Sequence, residues 1–370
     1  MARAKCLNKE CPRTSFVLPS RYVEKYSRST KRAVNESLDA NVLDNVPYPT
    51  LEEKLIRSFN TSGSDSSIDR WKQRIGRQLL FSDIIPLLNF SGILCIDEFK
   101  PKKHRYFNII ASDHKTYRIL YIIRVRYRDE QHIAMFLLNL KRFGVNPETI
   151  IMDRLSAFRS VVPKVFPAAH IQYDYFHIIK DIYDVFKKGL KGFADHMKYV
   201  ADEMIEGKRI YKSRFLVLKK TSRMTKEEKW RLRKLVNKYP KSIIPAILAL
   251  KERVFDIFDN SRTYEEAREK RDRLLYGKET TDIFSRFSVL GKIIVILEGF
   301  EFYRMGTYLR HKKVPRSGIS ELINRTFRRM EKVRYGFKTQ EGLESHIKIF
   351  QVRKYLNMNF DEFFKKINRN

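Results

Sequence analysis

A chain of 370 residues with 43% hydrophobic and 13% aromatic side chains has the apolar content for packed cores, which excludes a disordered basic tail. Its 75 Lys and Arg against 43 Asp and Glu leave +32 at pH 7, a self-repulsion that a polyanion relieves, so nucleic acid is the leading partner class. Three cysteines exclude a disulfide framework and fit a reducing interior, and neither a membrane span nor a secretory signal is expected from the apolar pattern.

At roughly 100–200 residues per domain, two or three domains are expected. Residues 1–77 are polar and broken by Pro12, Pro19, Pro47 and Pro49, which reads as short modules and not one large core. Within them TLEEKLIRSF (50–59) carries Leu51, Leu55, Ile56 and Phe59 on one helical stripe. After the Gly63 turn, SSIDRWKQRIG carries Ile68, Trp71 and Ile75. Two short helices about a glycine turn, the second with Arg70, Lys72 and Arg74 on its polar side, fit a helix-turn-helix over 31–80, or equally a plain helical hairpin with a solvated basic face.

From residue 92 the texture changes. GILCIDEF predicts a strand, 105–127 predicts two strands around an SDHK turn, and 129–144 predicts a helix capped by Asp129 and stopped by Gly144. TIIMD and HIQYD predict two further strands around a helical stretch, and another helix starts near Tyr175. The order β-β-β-α-β-α-β-α describes an α/β fold, a mixed sheet with helices packed on it. Residues 181–311 show only helical runs and suggest an insertion or second domain. After the Pro315 and Gly318 punctuation, another helix follows.

In so basic a chain the carboxylates at strand ends are informative: Asp97 ends ILCID, Asp153 ends TIIMD and Asp174 ends HIQYD. A carboxylate beside a buried strand needs a partner, a hydrogen bond or a metal, and carboxyl ends of strands are where open α/β sheets place their crevice. Any one of these acids taken alone is better explained as a cap of the following turn or helix, or as an ion pair; it is Asp97 and Asp153 together that point to a site. Glu98 should point away from Asp97, because side chains alternate along a strand. Hard oxygen ligands favour Mg²⁺ or Mn²⁺ over zinc, and two such ions suit in-line phosphoryl displacement.

The segments IDEF, IIMDRLSAFRSVVPKVFPAAHIQYDYFHIIKDI and RSGISELINRTFRRMEKVRYGF together resemble bacterial insertion-sequence transposases of the ISL-three family, a DDE group with an RNase H-like core, over about residues 92–350. The resemblance implies an RNase H-like mixed sheet core (92–180 and 312–370 with C-terminal helices) and a large all-helical insertion (181–311). A small helical N-terminal DNA-binding region (31–80) would precede them. It implies a catalytic and metal-holding triad of Asp97, Asp153 and Glu321, supported by Asp174 and His177. Glu321 would open its helix with Ser320 as N-cap, followed on nearly the same face by Asn324, Arg325, Arg328 and Lys332, with Ile323, Phe327 and Met330 as the core stripe. DNA contacts are expected from Arg70, Lys72, Arg74, Arg325, Arg328 and Lys332.

The family commonly carries an N-terminal zinc module with two cysteine pairs. This chain offers only Cys6 and Cys11 in residues 1–30, read as a truncated or decayed remnant, so no zinc is expected. The family's Thr-Asn-type residues ahead of the third acid appear as Ser317-Gly318. The reading is a divalent-metal-dependent DDE transposase that hydrolyses a phosphodiester at an element end and transfers the strand. Its partners would be double-stranded DNA, as terminal inverted repeats and target, with a homodimer or higher oligomer on that DNA and no membrane. It would act in a bacterial or archaeal cytoplasm at the nucleoid. The alternatives are a catalytically inactive DNA-binding protein derived from a transposase, and an RNase H-like nuclease without strand transfer.

Overall fold

The computed structural model describes residues 3–5, 10, 15–17, 29–59, 63–101, 105–199, 203–333 and 337–368. Cys6 and Cys11 lie outside them. In chain order, a two-stranded antiparallel ribbon, β1 (Arg3–Lys5) and β2 (Ser15–Val17), precedes the helices α1 (Lys31–Val42), α2 (Tyr48–Phe59), α3 (Asp65–Gln78) and α4 (Phe81–Ile84). Then come β3 (Ile93–Phe99), β4 (Phe107–Asp113), β5 (Ile119–Val125), α5 (Glu130–Arg142), β6 (Thr149–Met152), α6 (Ser156–Val165) and β7 (His170–Tyr173). Ten helices follow without a strand among the described residues: α7 (Tyr175–Tyr199), α8 (Met204–Lys212), α9 (Arg214–Leu218), α10 (Lys226–Lys238), α11 (Ile243–Asp259), α12 (Tyr264–Tyr276), α13 (Lys278–Arg286), α14 (Lys292–Leu297), α15 (Gly299–Met305) and α16 (Thr307–Arg310). The chain closes with α17 (Ser320–Val333), α18 (Gln340–Phe350) and α19 (Phe360–Ile367). Among its described residues the last part therefore supplies helices and no strand, where 312–370 was expected to complete the sheet core.

The sheet is mixed and five-stranded, in the order β5-β4-β3-β6-β7: β4 pairs antiparallel with both β5 and β3, and β6 and β7 are parallel. The chain divides into two compact units. One comprises 1–147, 160–167 and 319–370, the other 148–159 and 168–318.

In the first unit β3, β4 and β5 are buried at nearly every position, as near-continuous apolar strands covered on both faces are. Helix α17 packs on β3, and α5 and α18 pack on β5. The expected helix over 129–144 is realised: the Asp129 carboxylate accepts the backbone N–H of His132 at 2.9 Å, and Gly144 has φ +86°. The turn joining β4 to β5 is built on Asp113. That fully buried carboxylate accepts the N–H groups of Ser91 and Lys115 and the Thr116 hydroxyl. Donors surround it on several sides, so its role is to hold the turn.

The N-terminal helices are not a free-standing module. Ala33, Leu51, Leu55 and Ile68 form their own small core, with Trp71 and Phe59 packed against it. Beyond that, α3 crosses α18 where a side chain on Gly76 would lie 2.3 Å from the Ser345 Cβ, and Asp39 of α1 accepts Arg353 Nε at 2.6 Å.

In the second unit, Asp174 caps α7 and the long α11 runs through the helical block with ten buried side chains. Lys251 on α11 is fully buried, and its ammonium donates to the carbonyls of Val217 (3.0 Å) and Lys219 (2.6 Å). Burial lowers its pKa, with Glu252 opposing. No described helix is long and apolar enough to cross a membrane.

Candidate active site

Strand β3 continues through Phe99, since Asp97, Glu98 and Phe99 pair with Ile110, Ile109 and Asn108 of β4. Asp97 therefore lies inside the strand and not at its end, a correction to the sequence reading that follows from this longer register. Alternation separates the two acids as expected: Asp97 is buried, whereas Glu98 is half-buried and ion-paired with Arg128. One Asp97 oxygen accepts the Glu98 N–H at 2.8 Å. The other accepts the side-chain amide of Asn324 at 2.6 Å.

That second bond ties β3 to α17. The helix buries Ile323, Phe327 and Met330, the expected core stripe, and leaves Glu321, Arg325, Arg328 and Lys332 exposed. Asn324 is not in the exposed stripe, as expected from spacing, but 4% exposed beneath it. The N-cap also differs. The Ile323 N–H bonds the Ile319 carbonyl at 3.1 Å, so the cap is Ile319 and the buried Ser320 is the first helical residue. Glu321 stands one turn ahead of Asn324 on nearly the same face. Arg328 holds its guanidinium 5.7 Å from the Phe99 ring centre. Further along, burial raises the pKa of Glu331 against the opposing charges of Arg124 and Arg328.

In the second unit, Asp153 follows β6 directly and is half-buried, with one oxygen accepting the Leu155 N–H at 2.9 Å in an Asx turn. Asp174 follows β7 and is buried. It accepts the Phe176 N–H at 3.0 Å and further bonds from the Gly318 N–H and the Ser317 side chain. Burial raises its pKa, and those donors together with the nearby His177 only partly offset it. Asp174 thus fastens the loop from which the chain continues into α17. The same loop is held by Arg316, which donates to Asp259 at 2.6 Å. His177 is half-buried, its ring edge-on to Phe176.

Arg154, next to Asp153, lies 3.4 Å from Glu301 and 3.7 Å from Asp181; Arg159 adds a 3.0 Å bond to Glu301. Glu301 is therefore committed to two arginines, and exposed Glu298 accepts the Tyr276 hydroxyl at 3.2 Å. Sequence reasoning missed Asn324 as the partner of Asp97, although its i+3 spacing from Glu321 was a usable signal. It also missed the arginine clamp on Glu301, which no local pattern reveals.

On α3, Arg70 and Arg74 are exposed, but Lys72 is 4% exposed. Its ammonium lies 2.9 Å from Asp69 and donates to the Tyr48 hydroxyl. Lys72 is thus corrected from a basic-face residue to a buried strut. The reason is the close packing of α2 and α3, which turns that helix face inward. Arg77, not singled out from sequence, joins Arg70 and Arg74 on the exposed stripe and pairs with Glu341.

The oxygen chemistry beside Asp97 fits a hard divalent cation. Next to this buried carboxylate, the buried Asn324 Oδ1 has no hydrogen-bond partner. Among the described residues, no group of three or more His, Cys, Asp or Glu side chains is assembled as a metal site.

No curated protein matches the chain. Among solved structures it is similar to the Drosophila P element transposase strand transfer complex, with 12% identity, 89% of this chain and 93% of that one covered, and a TM-score of 0.43. The ISL-three model of DDE transposases, described as "Transposase", matches residues 94–347, more than half of the chain and the stretch containing Asp97, Asp153, Asp174 and Glu321. With strand acids and a helix-borne glutamate inside the matched span, the chain belongs to the ISL-three family of DDE transposases.

Proposed function

We propose that this DNA transposase cuts the ends of an insertion sequence and joins the freed strand to target DNA, with Asp97, Asp153 and Glu321 as its metal-holding carboxylates. The observation that carries the proposal is the 2.6 Å bond from Asn324 to Asp97, which couples the first acid's strand to the helix bearing the third. Bound to these carboxylates, two Mg²⁺ or Mn²⁺ ions would activate the attacking oxygen and stabilise the leaving one. Water attacks the phosphodiester at the element end, and the released 3′-hydroxyl then attacks a target phosphodiester. No covalent enzyme intermediate is required.

The chain's own residues orient these groups. Asn324 fixes the Asp97 carboxylate, the Asx turn fixes Asp153, and Asp174 with Ser317 and Gly318 fixes the approach to α17. His177 supports Asp174. Exposed Arg325, Arg328 and Lys332 on α17 would meet phosphates beside the cut. Arg70 and Arg74 on α3 would grip the terminal inverted repeats, with residues 31–80 as the end-binding region and 181–311 as the helical insertion. Lys72 supports that helix from beneath. We place this activity at the nucleoid of a prokaryotic cell, on an oligomer that pairs two ends.

The third acid is tested by paired variants. Glu321→Gln should abolish Mg²⁺-dependent cleavage of terminal DNA, while Glu298→Gln should cut like the parent. The reverse pattern would mean that the third acid is misassigned.

A further inference from the structure

The helical block of the second unit carries a groove of about 940 Å³ between α8, α9 and α10 that none of the proposed chemistry uses. Its wall includes Arg209, Lys212, Lys219, Arg231, Lys234 and Lys238 against two acids, Glu206 and Glu228, so 6 − 2 leaves four positive charges. Both acids are already engaged within the wall: Glu206 accepts Lys238 at 2.8 Å, and Glu228 accepts Lys219 at 2.7 Å. Arg209 also pairs with Glu206 at 3.6 Å and Arg231 with Glu227, so an acidic occupant meets mainly Lys212 and Lys234.

Aromatic rings interleave with these cations. Phe215 lines the groove and is 72% exposed, and Trp230, 54% exposed, stands beside the lining residue Lys234 on the same helix. Arg214 lies 4.2 Å from the Phe215 ring centre and 4.3 Å from that of Tyr211, while Lys234 stands 3.9 Å above Trp230. Single exposed rings are ordinary on a protein surface, but rings set beside a row of cations offer faces on which bases can stack. Cations along a groove with open rings between them match a strand whose phosphates and bare bases are both available. Duplex DNA offers only the phosphates, because its bases are stacked inside.

We propose that this groove binds single-stranded DNA, its cations following the phosphates and Phe215 and Trp230 stacking on unpaired bases. The inference rests on the DNA-cutting reading for its source of unpaired strand.

The chain has two tryptophans, so in full-length Trp71→Phe protein Trp230 is the sole emitter. Oligo(dT) should quench its fluorescence, and a duplex of equal length should not. Phe215→Ala, at an exposed position that leaves the fold intact, should weaken oligo(dT) binding by roughly fivefold or more, the loss of one base stack, with duplex affinity unchanged. Absence of quenching, an equal loss on both DNA forms, or the same quenching by polyglutamate would overturn the proposal. Cleavage by Asp97→Asn protein would leave this binding result standing while removing the transposase mechanism, so the two failures are distinguishable.

Discussion

Asp97 and Asn324 show what a single buried bond can decide. A carboxylate inside a covered strand is tolerated because a backbone N–H and a side-chain amide take its two oxygens, and the amide comes from another element 227 residues away in sequence. The basic residues of α3 divide by the same burial criterion. Lys72 points inward and ties Asp69 to Tyr48, whereas Arg70, among the described residues, bonds within its own helix, at Ser66 and Ser67. Lys72→Ala is therefore expected to lower stability by about 1–3 kcal/mol through buried polar groups left without their donor. Arg70→Ala and Arg74→Ala should leave the melting temperature unchanged and weaken binding to terminal DNA. Thermal melts and gel shifts on the three variants separate the roles, and a Lys72→Ala protein that melts normally but binds poorly would restore Lys72 to the DNA face. From sequence the three cations were indistinguishable, because a charge every second residue fixes no side of a helix until its neighbours are placed.

At the scale of elements, two contacts hold parts of the chain together that sequence separates widely. Gly76 lets α3 approach α18 so closely that an added Cβ would also lie 2.6 Å from the Ser345 Cα, a backbone atom that cannot swing away. Gly76→Ala should therefore cost about 1–3 kcal/mol of stability by overpacking, read as a lower melting temperature. An unchanged melt would mean that the two helices are not pressed together there.

In the second unit Asp259 receives Lys220 and Arg316 at 2.6 Å each. Burial alone raises its pKa, but these two cations outweigh burial and hold the carboxyl below the ordinary 3.8. A depressed folded pKa contributes stability that is complete above the unfolded value and is lost as pH falls through the folded one. Asp259→Asn should accordingly melt below the parent at pH 7, with the gap closing as pH drops below about 4. A gap independent of pH would remove the charge from the explanation. Because Arg316 precedes the Ser317-Gly318 loop held by Asp174, this pair also anchors the approach to α17.

The elements themselves were legible where patterning is local. ILCI, TIIM and HIQY are short apolar runs each followed by an acid, and each lies in a strand; Asp129 and Gly144 bracketed their helix as read. What stayed illegible depended on long-range pairing. The end of β3 is set by its partner β4, not by its own acids, which is why Asp97 is interior. The Ile319 cap and the burial of Asn324 depend on how α17 seats against β3.

At the scale of the whole molecule, the +32 net charge and the proposed metal-holding carboxylates make opposite demands. In the proposed function the cations would draw in DNA without regard to sequence, in a manner that salt weakens, while a few acids in that positive field would be reserved for chemistry. Buried acids elsewhere, such as Asp113, are surrounded by local donors, and Glu301 is held by two arginines. The family match shows the transposase class, and the separation of binding from cutting tests how its acids act.

The most direct measurement is Mg²⁺-dependent cleavage and gel-shift binding of the same terminal DNA by the parent chain and by Asp97→Asn. Removing one negative charge from the metal-holding set should collapse cleavage, while affinity persists or rises slightly and still falls steeply with salt. Asp97→Asn protein that cuts at the parent's rate would contradict the proposed triad.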